Sequence, residues 1–120
     1  MQICSVLKQK YVNGTPAGKN YLVAYFPRTK DEVIAMIMRD NKTSVSNVVA
    51  VDAGKVWTAD MIKESGEKWK LTFIYHELKE LEAFSEIKKQ IKGQIIKQAQ
   101  FVVNTPIEFD EINWVSKTYF

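Results

Sequence analysis

The run His76-Glu77-Leu78-Lys79-Glu80 reads H-E-x-x-E, one residue away from the zinc-protease signature H-E-x-x-H, and His76 is the one histidine in the 120-residue chain. A zinc protease needs two histidines one helical turn apart, a third ligand and a glutamate to activate water. Position 80 is glutamate, no second histidine exists, and Cys4 is the lone thiol, so a zinc site here would rest mostly on carboxylates, which suit zinc poorly. His76 also follows "KWKLTFIY", whose residues alternate with period two: Trp69, Leu71, Phe73 and Tyr75 on one side, Lys68, Lys70 and Thr72 on the other. That alternation predicts strand through Tyr75, so His76 and Glu80 do not share a helix face. No metal site is expected, and His76 is read as a strand-end residue where a helix turn begins.

Other catalytic patterns fare no better. Ser–His–Asp chemistry needs a nucleophile held against a base, and no G-x-S-x-G elbow precedes the only imidazole. "NGTPAGKN" (Asn13 to Asn20) lacks the spacing of a phosphate-binding loop and lies between two strands, not ahead of a helix. The acid pairs Glu77/Glu80, Glu80/Glu82 and Asp110/Glu111 sit among charged neighbours, the pattern of a solvated face. Cys4, in an apolar stretch, reads as a small buried hydrophobe and not a nucleophile. The chain is therefore expected not to be an enzyme and to carry no cofactor.

Charge gives the better lead. The net charge of +3 comes from 17 basic and 14 acidic residues, well short of a dedicated nucleic-acid protein. Arg28 and Arg39 are the only arginines, and lysine lacks the two-pronged fork that reads base edges, so sequence-specific DNA reading is not expected. Lys68, Lys70, Lys88, Lys89, Lys92 and Lys97 nevertheless crowd into one third of the chain. Brought together they would make a positive patch for RNA or an acidic protein surface, with salt-sensitive nucleic-acid contact. Tyr21, Tyr25, Trp69, Phe73 and Tyr75 would either stack on unpaired bases or form the core beneath the helices. Trp114 and Tyr119, near the end of the chain, are aromatics of the kind enriched at interfaces.

The elements that must hold these residues read as follows. "QICSVLKQKYV" (Gln2 to Val12) and "YLVAYF" (Tyr21 to Phe26) predict a hairpin with a longish Gly- and Asn-rich loop. Thr29 and Glu32 form a capping box ahead of an apolar stripe of Val33, Ile34, Ile37 and Met38, predicting a helix that ends near Asp40-Asn41. A third strand is expected around Val48 to Val51, then a short helix within "KVWTADMIKESG" capped by Thr58 and closed by Gly66. After the Trp69 strand, Leu78, Leu81, Phe84, Ile87 and Ile91 recur at helical spacing, with Gly93 as the stop. "QIIKQAQFVV" (Gln94 to Val103) and the segment after Pro106 predict two more strands. The order is ββαβ–(short α)–βαββ. It implies a single α+β domain over residues 1–120, a twisted, mostly antiparallel sheet of about five to six strands with two helices packed on one face.

Such a sheet, with apolar residues on both sides in "YLVAYF", "VVAV" and "QFVV", has more to bury than two short helices cover, so a protein partner or a homodimer is expected to cover the remainder. No apolar run approaches the ~20 residues that cross a bilayer. The N-terminus does not read as a secretory signal, and a lone thiol fits a reducing cytoplasm, so no membrane association and a cytoplasmic location are expected.

Trp69 leading its strand, Lys92-Gly93 before a late strand and the Thr105-Pro106-Ile107 segment, together with the opening hairpin, resemble an uncharacterised family found on bacterial phages and conjugative elements. The resemblance implies a mobile-element protein and, since that family has no assigned activity, no site residue carries over. The leading expectation is a small non-catalytic phage-type binding protein of the anti-defence (anti-CRISPR) class. It would modulate or inhibit a host protein or protein–RNA complex by occupying a surface. The runner-up is a single-stranded nucleic-acid-binding accessory protein.

Overall fold

The computed structural model describes residues 2–18, 20–26, 28–52, 54–77, 91–97 and 112–116. Its centre is strand β1 (Gln2–Val12), long enough to pair antiparallel with β3 (Tyr21–Phe26) on one side and β6 (Lys68–Glu77) on the other. Asn13 and Gly14, both at positive φ, turn the chain after Val12 so that the two-residue β2 (Thr15–Pro16) folds back on Tyr11 and Val12. Beyond β6 lie β5 (Val56–Ile62) and, at the edge, β4 (Ser44–Asp52), both antiparallel to their neighbours. Beyond β3 lies β7 (Ile112–Ser116), paired parallel. The sheet runs β4-β5-β6-β1-β3-β7 with β2 attached to β1, and only the β3–β7 pair breaks the antiparallel pattern.

Helix α1 (Lys30–Asn41) begins as the sequence predicts. The Glu32 amide donates to Thr29 Oγ1 at 3.3 Å and the Thr29 amide donates to Glu32 Oε1 at 3.1 Å, so two orphan donors are satisfied reciprocally. It ends at Lys42, in the left-handed conformation, and Thr43 Oγ1 donates back to the Ile37 carbonyl at 3.4 Å. A second helix, α2, is described over residues 91–97.

Strand alternation separates the apolar residues into two cores. Cys4, Val6, Val23, Tyr25, Leu71 and Phe73 point to one face and meet Val33, Met36 and Ile37 of α1. Ile3, Leu7, Leu22, Ala24 and Ile74 point to the other and meet Ile91 and Ile95 of α2. Phe73 is fully buried, and a side chain of that size contributes roughly 1.5–3 kcal/mol by leaving water.

Three expectations are corrected. The helices cover opposite faces, not one, because β1 and β3 are apolar at odd and even positions alike and each face needs its own cover. The strand number agrees with expectation in outline: among the described residues six strands form the sheet, with the two-residue β2 attached to β1. "KVWTADMIKESG" holds no helix: Trp57, Ala59 and Met61 alternate and stand opposite Phe73, Leu71 and Trp69, and this pairing overrides the helical leanings of Ala and Met. Residues 94–97 are helical, not strand. Gly93 does not stop α2, since its φ is not among the positive ones and Ile91 and Ile95 are one helical turn apart on the same core. The Leu78–Ile87 portion of the expected helix and the "QAQFVV" strand lie outside the described residues.

Candidate functional surfaces

Ser5, on β1, and His76, on β6, lie two ladder positions apart along the face that α2 covers, both buried. Ser5 Oγ and His76 Nε2 are 3.3 Å apart, and Ser5 Oγ also donates to the Ile74 carbonyl at 3.3 Å. Serine has a single hydroxyl hydrogen. With it on Ile74, the imidazole must donate Nε2–H to Oγ, the reverse of the polarity by which histidine activates a serine. Burial pushes the His76 pKa from 6.5 down to about 4, so the ring is neutral at physiological pH. Ser5 has no exposed surface for a substrate to reach. The pair is a satisfied polar spot within a sheet, and among the described residues no three His, Cys, Asp or Glu side chains converge as metal ligands. His76 belongs to β6, as its alternation predicts. Cys4 is buried, and desolvation pushes its thiol up to about 12, which keeps it protonated and unreactive.

Lys68 and Lys70 point to the α2 face at one end of the sheet and line an open groove with Tyr11, Ser46 and Asp60. Lys92 and Lys97 are exposed on α2, which packs on the same face. The groove is not purely basic: Lys70 stands opposite Asp60 across the ladder, and Asp60 Oδ2 accepts from Asn47 Nδ2 at 2.9 Å. Lys88, Lys89 and Tyr119 lie outside the described residues. Trp114, half-buried on β7, packs against the α2-side core. Its ring is committed within the domain.

Two further surfaces escaped sequence reasoning. The first is the edge strand β4, exposed at every residue from Ser46 to Asp52. Val48, Val49 and Val51 have fractional exposures of 41, 55 and 55%. Sheet edges are usually blunted by charge, above all by lysine. β4 carries no lysine in a chain that has 15, and its one charged residue is Asp52. Its ladder to β5 skips between Ser46 and Val49 and again between Ala50 and Asp52. Asn47 takes a left-handed φ of 55° at the first skip, and such bulges re-aim neighbouring side chains. The alternating valines were visible in sequence; their place on an edge was not.

The second is a corner of the α1 face. Lys8 stands opposite Tyr21 on one side and Leu71 on the other, and Lys10 stands opposite Trp69. The Tyr21 and Trp69 rings lie 6.0 Å apart at 46°, and Lys63 Nζ sits 4.8 Å from the Trp69 centroid. Glu67 accepts from Lys10 at 2.7 Å and lies 3.9 Å from Lys63; the Lys10 hydrogen bond, foremost, holds its carboxyl below the ordinary range. The spacing of Lys8 and Lys10, two apart on one strand, was the available signal.

Comparison of the chain with protein-family models, with curated proteins and with solved structures returned no match.

Proposed function

We propose that this is a non-catalytic binding protein of the mobile-element, anti-defence type that acts by occupying a partner protein's surface, with β4 as the strand that takes an extended segment of the partner. The observation that carries this reading is the exposed, lysine-free edge. A strand whose outer side pairs with none of the described residues, and which carries three exposed valines, offers main-chain hydrogen bonds for affinity and alternate side-chain contacts for specificity. The surplus apolar surface expected from the sequence is thereby given a place. Of "YLVAYF", Leu22 and Ala24 are consumed by one core and Val23 and Tyr25 by the other, whereas "VVAV" stays in solvent. The Ser5–His76 geometry supports the non-catalytic half of the proposal, since the best-placed nucleophile and base are sealed from substrate.

The test is a comparison of wild type with a Val49→Lys, Val51→Lys double variant. Both sites are exposed, so stability should stay within about 0.5 kcal/mol of wild type, while retention of the partner in a host lysate is lost. Retention of the same partner by the charged-edge variant would end the β4 reading.

A further inference from the structure

The α1-side corner carries chemistry that the β4 reading does not use. Lys8 is half-buried between Tyr21 and Leu71, and nothing among the described residues pairs with its ammonium. Desolvation, then the nearby Lys63 charge, lowers its pKa. The single carboxylate at hand, Glu67, is engaged by Lys10 and only distantly by Lys63. Three ammonium groups, Lys8, Lys10 and Lys63, therefore share this one carboxylate beside an aromatic pair, which leaves the corner with an excess of positive charge. Trp69 is half-buried, with Lys63 over its ring and Tyr21 beside it; Tyr21, 53% exposed, keeps ring surface open to solvent.

Cations in excess of the one acid beside them call for an anion, and an open aromatic face next to them calls for a flat partner. We propose that Tyr21, Lys8 and Lys63 form a binding site for single-stranded nucleic acid, with an unpaired base stacked on Tyr21 and the adjoining phosphate held by Lys8 and Lys63. Trp69 and Lys10 are positioning residues: Trp69 buttresses the tyrosine ring, and Lys10 draws Glu67 away from the phosphate position. A duplex cannot use the site because its bases are already stacked, and an acidic peptide gains nothing from Tyr21. Stacking platforms of this kind are sequence-tolerant and salt-sensitive, consistent with lysine and not arginine at the site. Tyr21 and Lys8 lie on the face opposite Lys68 and Lys70, although Lys10, Glu67 and Trp69 also border that groove, and the site does not involve β4, so it stands or falls separately from the protein-binding proposal.

The test is fluorescence anisotropy of the full chain with a labelled deoxythymidine strand of about ten nucleotides, a blunt duplex and an acidic peptide of equal length. The single strand should bind with a dissociation constant on the order of 10 µM at low salt and outcompete both alternatives. Tyr21→Ala should weaken it about tenfold and Tyr21→Phe should leave it nearly unchanged, since stacking needs the ring and not the hydroxyl. Lys63→Gln and Lys8→Met should each flatten the salt slope by about 0.7, whereas Lys68→Gln and Lys70→Gln should not. Tyr21 is exposed and Lys63 half-buried, so their variants report on binding even if Lys8→Met perturbs folding. No binding of the single strand would overturn the proposal. So would equal binding of the acidic peptide, or a Tyr21→Ala variant that binds as wild type does.

Discussion

His76 shows how one side chain's surroundings decide its role. In the native sheet its ring is buried, accepts no proton until about pH 4, and shares a hydrogen bond with Ser5. Unfolded, it would titrate near 6.5. The folded pKa is depressed, so the native state is unaffected above the unfolded value and loses stability as pH falls from 6.5 toward 4, where the unfolded chain binds a proton that the native chain refuses. The change from 6.5 to about 4 corresponds to roughly 3 kcal/mol at full effect. Urea unfolding at about pH 7.5 and about pH 4.5 should show most of that loss in wild type, over and above the loss shared with His76→Gln. A variant with the same pH dependence as wild type would mean that the imidazole is solvated in the native protein. The sequence already marked His76 as strand. It could not reveal Ser5 as the neighbour, because the two are brought together by a pairing across 71 positions of chain.

At the scale of elements, legibility followed locality. The capping box of α1 and the alternation of β6 are written in adjacent residues, and both elements stand where they were expected. β5 was misread because Ala59 and Met61 favour helix in isolation, and only their places opposite Leu71 and Trp69 make them strand. Gly93 was misread for a related reason: glycine ends helices when it takes positive φ, and here it does not. A side chain at Gly93 would meet no atom within 4 Å. Gly93→Ala should therefore stabilise the protein by about 0.5–1 kcal/mol, seen as a higher urea midpoint with an unchanged slope. A lower midpoint would show that the helical path through residue 93 is wrong. The helices went to opposite faces for a reason that no single segment states. β1 is buried at Ile3 and Leu7 on one side and at Cys4 and Val6 on the other, so a central strand with two apolar faces requires cover on both.

Among the described residues the molecule is a sheet with a helix on each face and an open edge at β4. That arrangement reconciles an ordinary composition with an apolar surplus: the interior strands are covered on both faces, and the exposed valines collect where the sheet stops. Of the predicted lysines, Lys68 and Lys70 line a groove shared with Asp60 and Lys92 and Lys97 lie on the outer surface of α2, while Lys8, Lys10 and Lys63 share one carboxylate, Glu67, at the α1-side corner. Sequence spacing grouped lysines that are close along the chain; strand pairing grouped lysines that are close in space. The claim on which the proposed function depends is that a partner's chain continues the sheet at β4. Amide hydrogen exchange on the complex with its captured protein partner measures this directly. Exchange should slow across residues 44–52, with the interior strands β1 and β6 as protected as in the free protein. Protection confined to α2 or to the Lys68–Lys70 groove, with β4 exchanging as it does alone, would contradict it.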